Sequence, residues 1–304
     1  MGLGLGLGIW WPTQTSIIPG LLKALCARAT YCENKTCTTA TLEEIAAVRY
    51  TPPPPPTGIL LVDYPGASAA YSLRNLSSTT TNVVRVRRSS DNTEQDFTSA
   101  EITDGTLTTF TGANDGFVTT WYDQSGNSNN AVQSTATSQL QLVDDGIVYL
   151  ENGKPAVFNI PPNFYNSNNL IFNSVLAKTL ILVQKTLGQS TSAQINMVVS
   201  SFNDNSIRTR SQQWDMTDSS SWWQSLNGEW YSNNLQKTSS YPSSQQELMF
   251  LTNINPTVNL RKIGGTVNGR SSIGLWQELI LYPSDQSANR TGIETNINTE
   301  YTIY

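Results

Sequence analysis

Residues 118–131 read VTTWYDQSGNSNNA, and this stretch decides the fold more than any other part of the chain. It opens with alternating apolar and polar residues, the period of a half-buried strand. It continues into residues 123–126, DQSG, whose side chains are typical of turns because they bond the local backbone. The sequence therefore predicts a strand that ends in a turn capped by side chains. Trp121 and Tyr122 must face opposite sides of that strand, and we expect Trp121 to lie in the core.

A second phrase precedes it, AAYSLR at residues 69–74, which leads to VRVRRSSDN at residues 84–92. Short apolar or alternating runs recur between turn residues over the rest of the chain, which predicts an antiparallel β-sandwich. The runs are 58–62, 83–86, 117–122, 147–150, 156–158, 180–183, 197–199, 248–251 and 275–281. One helix is expected near the end of the chain, over residues 287–298.

The order of these phrases, together with the DQSG turn, resembles the opening of the catalytic module of fungal-type α-L-arabinofuranosidase B. It is still more similar to a laminin-G-like (concanavalin A-like) module that recurs in bacteriophage virion proteins. The resemblance is close over residues 70–142 and loose elsewhere. GLWQELILY at residues 274–282, followed by a helix, resembles the end of laminin-G-like modules. The resemblance implies one all-β, concanavalin A-like antiparallel β-sandwich over residues 58–304.

Composition excludes several kinds of site. Charged residues make up 13% of the chain, about half of the usual ~25%, and the net charge is −5. The chain has no histidine, which excludes histidine-ligated zinc, a Ser-His-Asp triad and a histidine general base. The only basic run is Arg85, Arg87 and Arg88, too short to predict a nucleic-acid partner. We expect no cofactor and no metal.

The N-terminus, MGLGLGLGIWW at residues 1–11, alternates glycine with apolar residues. The first basic residue is Lys23, so a signal peptide is not predicted, and Pro12 and Pro19 interrupt any membrane span. We interpret the segment as an apolar anchor that packs against other virion proteins. The attachment residues are expected to be Leu3, Leu5, Leu7, Ile9, Trp10 and Trp11.

Five consecutive prolines at residues 52–56 predict a stiff polyproline spacer. The predicted organisation is an attachment and oligomerisation segment at 1–51, with a short helix over 41–48, a linker at 52–57 and a β-sandwich domain at 58–304. All three cysteines, Cys26, Cys32 and Cys37, lie in the first segment. One disulfide with a free thiol, three reduced thiols and a three-thiolate metal site all remain open.

The main domain carries residues for two kinds of functional site. A retaining glycosidase needs two carboxylates, a nucleophile and an acid/base. Candidates are Glu101, Glu151, Glu229, Glu247, Glu278, Glu294 and Glu300, and their spacing singles out no pair. Asp123 is better interpreted as a turn cap than as a catalytic residue. Asp91, Asp123, Asp144 and Asp145 carry the oxygen ligands that calcium takes, but no loop pattern specifies a calcium site.

The second kind of site is a carbohydrate-binding surface made of Trp222, Trp223, Trp230 and Tyr231. Aromatic faces suit the C–H faces of sugar rings, although alternate aromatics on a strand also fill a sandwich core. The resemblance to phage virion modules, with the N-terminal segment and the proline spacer, implies a virion surface protein of head-fibre or tail-fibre type, a trimer by analogy, that adheres to host-surface glycan. The alternatives are an arabinofuranosidase-like glycoside hydrolase and a cell-surface lectin of the host.

Overall fold

We analysed a computed structural model, which describes residues 57–159, 168–187, 195–200, 206–210, 213–215, 229–232, 235–236, 245–254, 259–264 and 274–304. These residues all belong to one compact unit that runs from Pro56 to Tyr304. The attachment segment, its cysteines, the helix expected over 41–48 and the five prolines lie outside the described residues. Those four expectations stay predictions.

Strands dominate the described residues. The first ten are β1 (Ala69–Ser72), β2 (Val84–Arg88), β3 (Glu94–Phe97), β4 (Gly116–Trp121), β5 (Ala131–Val132), β6 (Leu140–Asp144), β7 (Ile147–Val148), β8 (Leu150–Glu151), β9 (Lys154–Pro155) and β10 (Val157–Asn159). The next ten are β11 (Asn169–Leu176), β12 (Thr179–Thr186), β13 (Ile195–Ser200), β14 (Ser206–Arg210), β15 (Gln213–Asp215), β16 (Glu229–Ser232), β17 (Leu235–Gln236), β18 (Glu247–Thr252), β19 (Asn259–Gly264) and β20 (Gly274–Tyr282).

The α-helices of the described residues are α1 (Leu60–Asp63), α2 (Ser99–Thr103), α3 (Thr106–Thr111) and α4 (Arg290–Tyr301). The predicted C-terminal helix is confirmed: a 3₁₀ turn over Ser287–Asn289 leads into α4. Helix α2 was not predicted from the sequence. Its start carries a capping box, in which Thr98 Oγ1 accepts from the Glu101 N–H and the Glu101 carboxylate accepts from the Thr98 N–H. A Thr followed three residues later by Glu was the signal that could have found it.

Strand β20, the last in the chain, lies in the middle of the first sheet. On one side it pairs with β12, which continues the sheet through β18 and β16 to β17. On the other side it pairs with β1 along one half and with β10 along the other. We call this the back sheet.

The front sheet begins with β3, β2 and β4. Strand β4 then pairs with β5, and the order continues through β11, β19, β13 and β14 to β15. Strand β6 pairs with β4, β7 and β10 and so joins the front sheet to the back sheet. All pairings among the described strands are antiparallel. The predicted all-β antiparallel sandwich is confirmed.

Two apolar cores lie on the two faces of the back sheet. The inner core lies between the sheets and includes Tyr71, Trp121 and Trp276. The expected placement of Trp121 is confirmed, since it is fully buried while Tyr122 is partly exposed. Trp121 is tilted against Tyr71 with 6.1 Å between ring centroids. Strands β1 and β4, which carry the two sequence phrases, therefore meet in the inner core.

The outer core lies between the back sheet and α4. Ile181, Phe250 and Ile280 contribute from the sheet, and Ile293 and Ile297 contribute from the helix. Residues in β12, β18 and β20 alternate between the two cores because successive side chains of a strand point to opposite faces. This double burial explains why those strands appear as continuous apolar runs in the sequence.

Two predicted strands differ in the structure. Residues 58–62, predicted as a strand, contain most of helix α1 instead. The Asp63 carboxylate accepts from the N–H groups of Thr57 and Gly58, which closes a turn there. The predicted strand 147–150 is divided into β7 and β8, which pair with different partners, β6 and β9.

Candidate functional site

The DQSG turn holds strand β1 through the side chain of Asp123. Asp123 Oδ1 accepts from the N–H of Ala70 at 2.9 Å and from the N–H of Ser125 at 2.9 Å. Asp123 Oδ2 accepts from Ser125 Oγ at 2.7 Å and from the N–H of Asn129 at 2.9 Å. Four donors therefore occupy this carboxylate, and the interpretation of Asp123 as a turn cap is confirmed.

Gln124 continues the same contact. Its buried amide donates to the carbonyls of Ser72 and Arg74, both at 2.9 Å, and accepts from the N–H of Leu76 at 2.7 Å. Asn129 exchanges two hydrogen bonds with the Asn173 backbone, which ties the turn to β11. We call residues 123–130 the Asp-Gln turn. The motif that carries the sequence resemblance fixes the fold through these contacts.

The three arginines of the basic run are also engaged by other protein groups. Arg85 forms a bidentate contact with Asp96, whose Oδ1 also accepts from the Tyr122 hydroxyl. Arg87 donates to Gln139 and Asn92. Arg88 donates to Asp91 and to the carbonyl of Phe110. These contacts give each arginine of the run a structural role.

A different polar group lies on the outer side of the back sheet, where Arg74 meets Glu278. The Arg74 guanidinium donates to both Glu278 oxygens, from Nε at 2.7 Å and from Nη2 at 3.1 Å. Ser72 Oγ and the Tyr301 hydroxyl lie within 3.1 and 3.2 Å of Glu278 Oε2. The Glu278 side chain is completely buried, whereas that of Arg74 is 15% exposed.

Charge and burial act together in this group. Burial acts to lower the pKa of Arg74, but the adjacent Glu278 carboxylate outweighs it and the pKa lies above its ordinary value. Burial raises the pKa of the Tyr301 hydroxyl well above its ordinary value, and the negative charge of Glu278 raises it further. Glu278 is thus held against a permanent cation.

A hairpin formed by β8 and β9 stands beside this group because of a bulge in β20. Gln277 is skipped in the register, since Glu278 faces Val183 and Trp276 faces Gln184. The Gln277 amide donates to the carbonyls of Glu151 and Lys154, each at 3.1 Å, and accepts from Gln246. The extra residue in the central strand therefore binds the backbone of the hairpin.

The hairpin also binds the end of α4. The Asn152 amide donates to the carbonyls of Tyr301 at 2.6 Å and Thr302 at 2.9 Å, at the C-terminal end of the helix. Lys154 forms an ion pair with Glu300, with 2.7 Å between Nζ and Oε1. Both side chains of that pair are partly exposed, at 41% for Lys154 and 31% for Glu300.

Between the hairpin, α2 and the end of α4 lies a pocket of about 330 Å³, which we call the Arg74 pocket. Its lining consists of Leu73, Arg74, Ser99, Ala100, Thr103, Lys154, Pro155, Glu300 and Tyr301. In the part of the chain that the structure describes, Arg74 Nη1 and Glu300 Oε2 have no hydrogen-bond partner. The pocket thus combines fixed ion pairs with polar atoms that are available to a ligand.

The predicted carbohydrate-binding cluster is described only in part. Trp222 and Trp223 lie outside the described residues, and Trp230 is described only as a backbone position in β16 opposite Leu251. Tyr231 is partly buried, and the Arg290 guanidinium lies 3.9 Å from its ring centroid. One face of that ring is therefore occupied by a cation, and sugar binding by the cluster stays a prediction.

The other carboxylates weighed for catalysis have structural contacts where their side chains are described. Glu151 pairs with Lys185 at 2.8 Å, Glu294 pairs with Arg290 at 2.7 Å, and Glu101 belongs to the capping box of α2. Among described residues, no group of three or more Cys, Asp or Glu side chains could hold a metal ion. No described helix is both long and apolar enough to cross a membrane.

Comparisons with known proteins return neither a matching family nor a matching curated protein. Among solved structures, an arabinofuranosidase complexed with arabinofuranosyl-α-1,2-xylobiose is 17% identical, with a TM-score of 0.44. A GH54 α-L-arabinofuranosidase soaked with a cyclic sulfate inhibitor is 16% identical, with a TM-score of 0.45. Each comparison covers 76% of this chain and 62% of the other, so the chain spans less than two thirds of these neighbours. A likeness at this level assigns neither activity nor substrate.

Proposed function

We propose that residues 57–304 form a carbohydrate-binding domain, and that a virion displays it at its surface. The observation that carries the proposal is the Arg74 pocket, in which hydrogen-bond donors and acceptors surround a concave volume of about 330 Å³. Pockets for small molecules begin at about 300 Å³ and use a few well-placed polar groups to orient their ligand. The volume supports a ligand of one or two sugar units.

The walls of this pocket are held in place before any ligand arrives. Arg74 is fixed by both oxygens of Glu278, and the Lys154 hairpin is fixed by Gln277 and Asn152. Preorganised groups lose little conformational entropy on binding. A rigid polar pocket of this kind suits recognition of a ligand rich in hydroxyl groups.

Display at a virion surface is supported by the sequence of the N-terminal segment. The Gly-Leu repeat at residues 1–11 and the prolines at 52–56 suit an anchor and a spacer. In a trimer, which is expected by analogy, three weak sugar sites would act together and increase the overall avidity.

Hydrolysis of an arabinofuranoside is the second candidate. The resemblance of residues 69–74 and 118–131 to an arabinofuranosidase module favours it. A retaining mechanism needs a nucleophilic carboxylate and an acid about 5–5.5 Å apart. Glu300, in the lining of the Arg74 pocket, is ion-paired with Lys154, and Glu278 is completely buried against Arg74, so the geometry singles out no such pair of carboxylates in this pocket.

A glycan array and a panel of aryl glycosides, both used with the full chain, test the two candidates side by side. Binding without turnover is the expected result. Turnover of an aryl arabinofuranoside above the rate without protein, abolished by one carboxylate substitution, would replace the first candidate with the second. Neither binding nor turnover would refute both.

A further inference from the structure

We infer that the ligand of the Arg74 pocket is an uncharged sugar unit, selected against uronic acids and amino sugars. This inference rests on the proposed function, since it names the ligand class of the same pocket. The charges around the pocket carry it. Arg74 and Lys154 supply two cations, and Glu278 and Glu300 supply two anions at 2.7 Å from them.

This balance sets the cost of bringing in a charged ligand. A uronate that approached Arg74 Nη1 would also approach Glu300, whose carboxylate is partly exposed at the pocket. An amino sugar that approached Glu300 would also approach Lys154 and Arg74. Like charges brought together in a partly desolvated site weaken binding, so both classes are disfavoured.

Hydroxyl groups meet no such conflict because each can donate and accept. Arg74 and Lys154 offer donors, Glu300 offers an acceptor, and the Ser99 hydroxyl offers both. The Thr103 hydroxyl donates to the Ala100 carbonyl and can accept from a ligand. Leu73, Ala100 and Pro155 complete the wall with apolar surface for the C–H groups of the ring. The pocket thus presents both donors and acceptors together with apolar surface, which matches an uncharged polyol.

The aromatic cluster predicted from the sequence would bind a sugar by stacking, which differs from the way the Arg74 pocket can bind one. The one aromatic residue in the pocket lining, Tyr301, is only 3% exposed, and the Arg74 guanidinium lies 5.7 Å from its ring centroid. Stacking on an open aromatic face is therefore not how this pocket holds a sugar. Hydrogen bonds must supply the specificity, and hydrogen-bonding sites discriminate strongly between ligands with and without the matching polar group.

The test compares matched probes by ligand-detected NMR and calorimetry on the full chain. Methyl β-D-galactopyranoside and methyl β-D-glucopyranoside are each paired with the corresponding uronate and 2-amino sugar. We expect an uncharged member to bind more tightly than its charged partners by about tenfold. Tighter binding of a uronate or of an amino sugar would overturn the inference while leaving carbohydrate binding in place.

Variants locate the binding and test the role of charge. Glu300→Gln removes one anion and should shift the preference toward the uronate by about threefold or more. Ala100→Trp, at an exposed position of α2, should block the pocket without breaking either ion pair. Thr109→Trp, at an exposed position of α3 that is absent from the pocket lining, is the matched control and should bind normally.

Three outcomes separate the two proposals. Sugar binding that is unchanged by Ala100→Trp would place the site elsewhere and overturn the inference alone. An unshifted preference in Glu300→Gln would show that pocket charge does not select the ligand, and would also overturn it. If the native chain binds no glycan on the array and no methyl glycoside, the proposed function itself fails.

Discussion

The Asp-Gln turn and the Arg74 pocket are both rich in polar side chains, but they differ in what those side chains can still bind. In the turn, the Asp123 carboxylate accepts four hydrogen bonds and the Gln124 amide makes three. In the pocket, Arg74 and Glu300 each keep a polar atom without a partner among the described residues. The more recognisable motif in the sequence is thus structural, and the less recognisable group is the better candidate for binding.

The largest effect on stability should come from the Arg74–Glu278 ion pair beside the pocket. Arg74→Met removes the cation beside the fully buried Glu278 and should lower the free energy of unfolding by about 3–5 kcal/mol. The double variant Arg74→Met/Glu278→Met should recover most of that loss, because two apolar side chains then replace the pair. Denaturant unfolding of both variants measures this. A loss of less than about 1 kcal/mol in the single variant would show that the Arg74–Glu278 pair does not stabilise this part of the fold.

The turn should show the next largest effect. Asp123→Ala leaves the N–H groups of Ala70, Ser125 and Asn129 without their acceptor and should cost about 2–4 kcal/mol of unfolding free energy. Asp104→Ala is a suitable control, because the Asp104 carboxylate is exposed and accepts a hydrogen bond from the nearby N–H of Thr106. Asp123→Ala protein that folds should bind glycan normally. A loss of glycan binding in folded protein would show that the Asp-Gln turn contributes to binding as well as to structure.

A smaller and pH-dependent effect is expected at Tyr122. Burial, together with the hydrogen bond to Asp96, raises the pKa of its hydroxyl from 10.0 to about 12. The stabilisation by the neutral hydroxyl is therefore complete below pH 10.0 and is lost as the pH rises through about 12. Tyr122→Phe should cost about 1 kcal/mol at neutral pH. The difference from the native chain should shrink above pH 10.0, and a constant difference would contradict this assignment.

The smallest effect on stability should come from the partly exposed Lys154–Glu300 ion pair in the pocket lining. Lys154→Met breaks a partly exposed ion pair with Glu300 and should change the unfolding free energy by less than about 1 kcal/mol. Its effect on ligand choice should be the larger one, with a shift toward amino sugars among the matched methyl glycoside, uronate and amino sugar probes. A Lys154→Met variant that is strongly destabilised but unchanged in ligand preference would show that Lys154 has a structural role, like the side chains of the Asp-Gln turn, and no role in ligand binding.

Local patterns account for the parts of this molecule that the sequence predicts. Alternation located β4, and a continuous apolar run located β18. The residue types of the DQSG turn predicted a side-chain cap because Asp bonds backbone groups only a few residues away. The strand prediction for residues 58–62 was wrong because a short apolar run fits either a strand or a helix. The deciding hydrogen bonds there come from Asp63, just after the run.

The Arg74 pocket could not be predicted in the same way. Arg74 and Glu278 are 204 residues apart, and they meet only because Ser72 of β1 is paired with Glu278 of β20. The register shift at Gln277 then decides where the Lys154 hairpin lies. Neither a pairing register nor a bulge leaves a mark in the local sequence, so the charged residues at 74, 154, 278 and 300 appear unrelated along the chain.

The position of β20 has a consequence for how the chain acquires its structure. This strand is synthesised last among the strands, yet β1, β10 and β12 all need it as a neighbour. While the ribosome is still making residues 274–282, those earlier strands have unpaired edges, and exposed edges invite association with other chains. The back sheet closes only after synthesis of this strand, through contacts between residues distant in sequence, which makes folding slow. Truncation before residue 274 should therefore leave an aggregation-prone chain instead of a smaller stable domain.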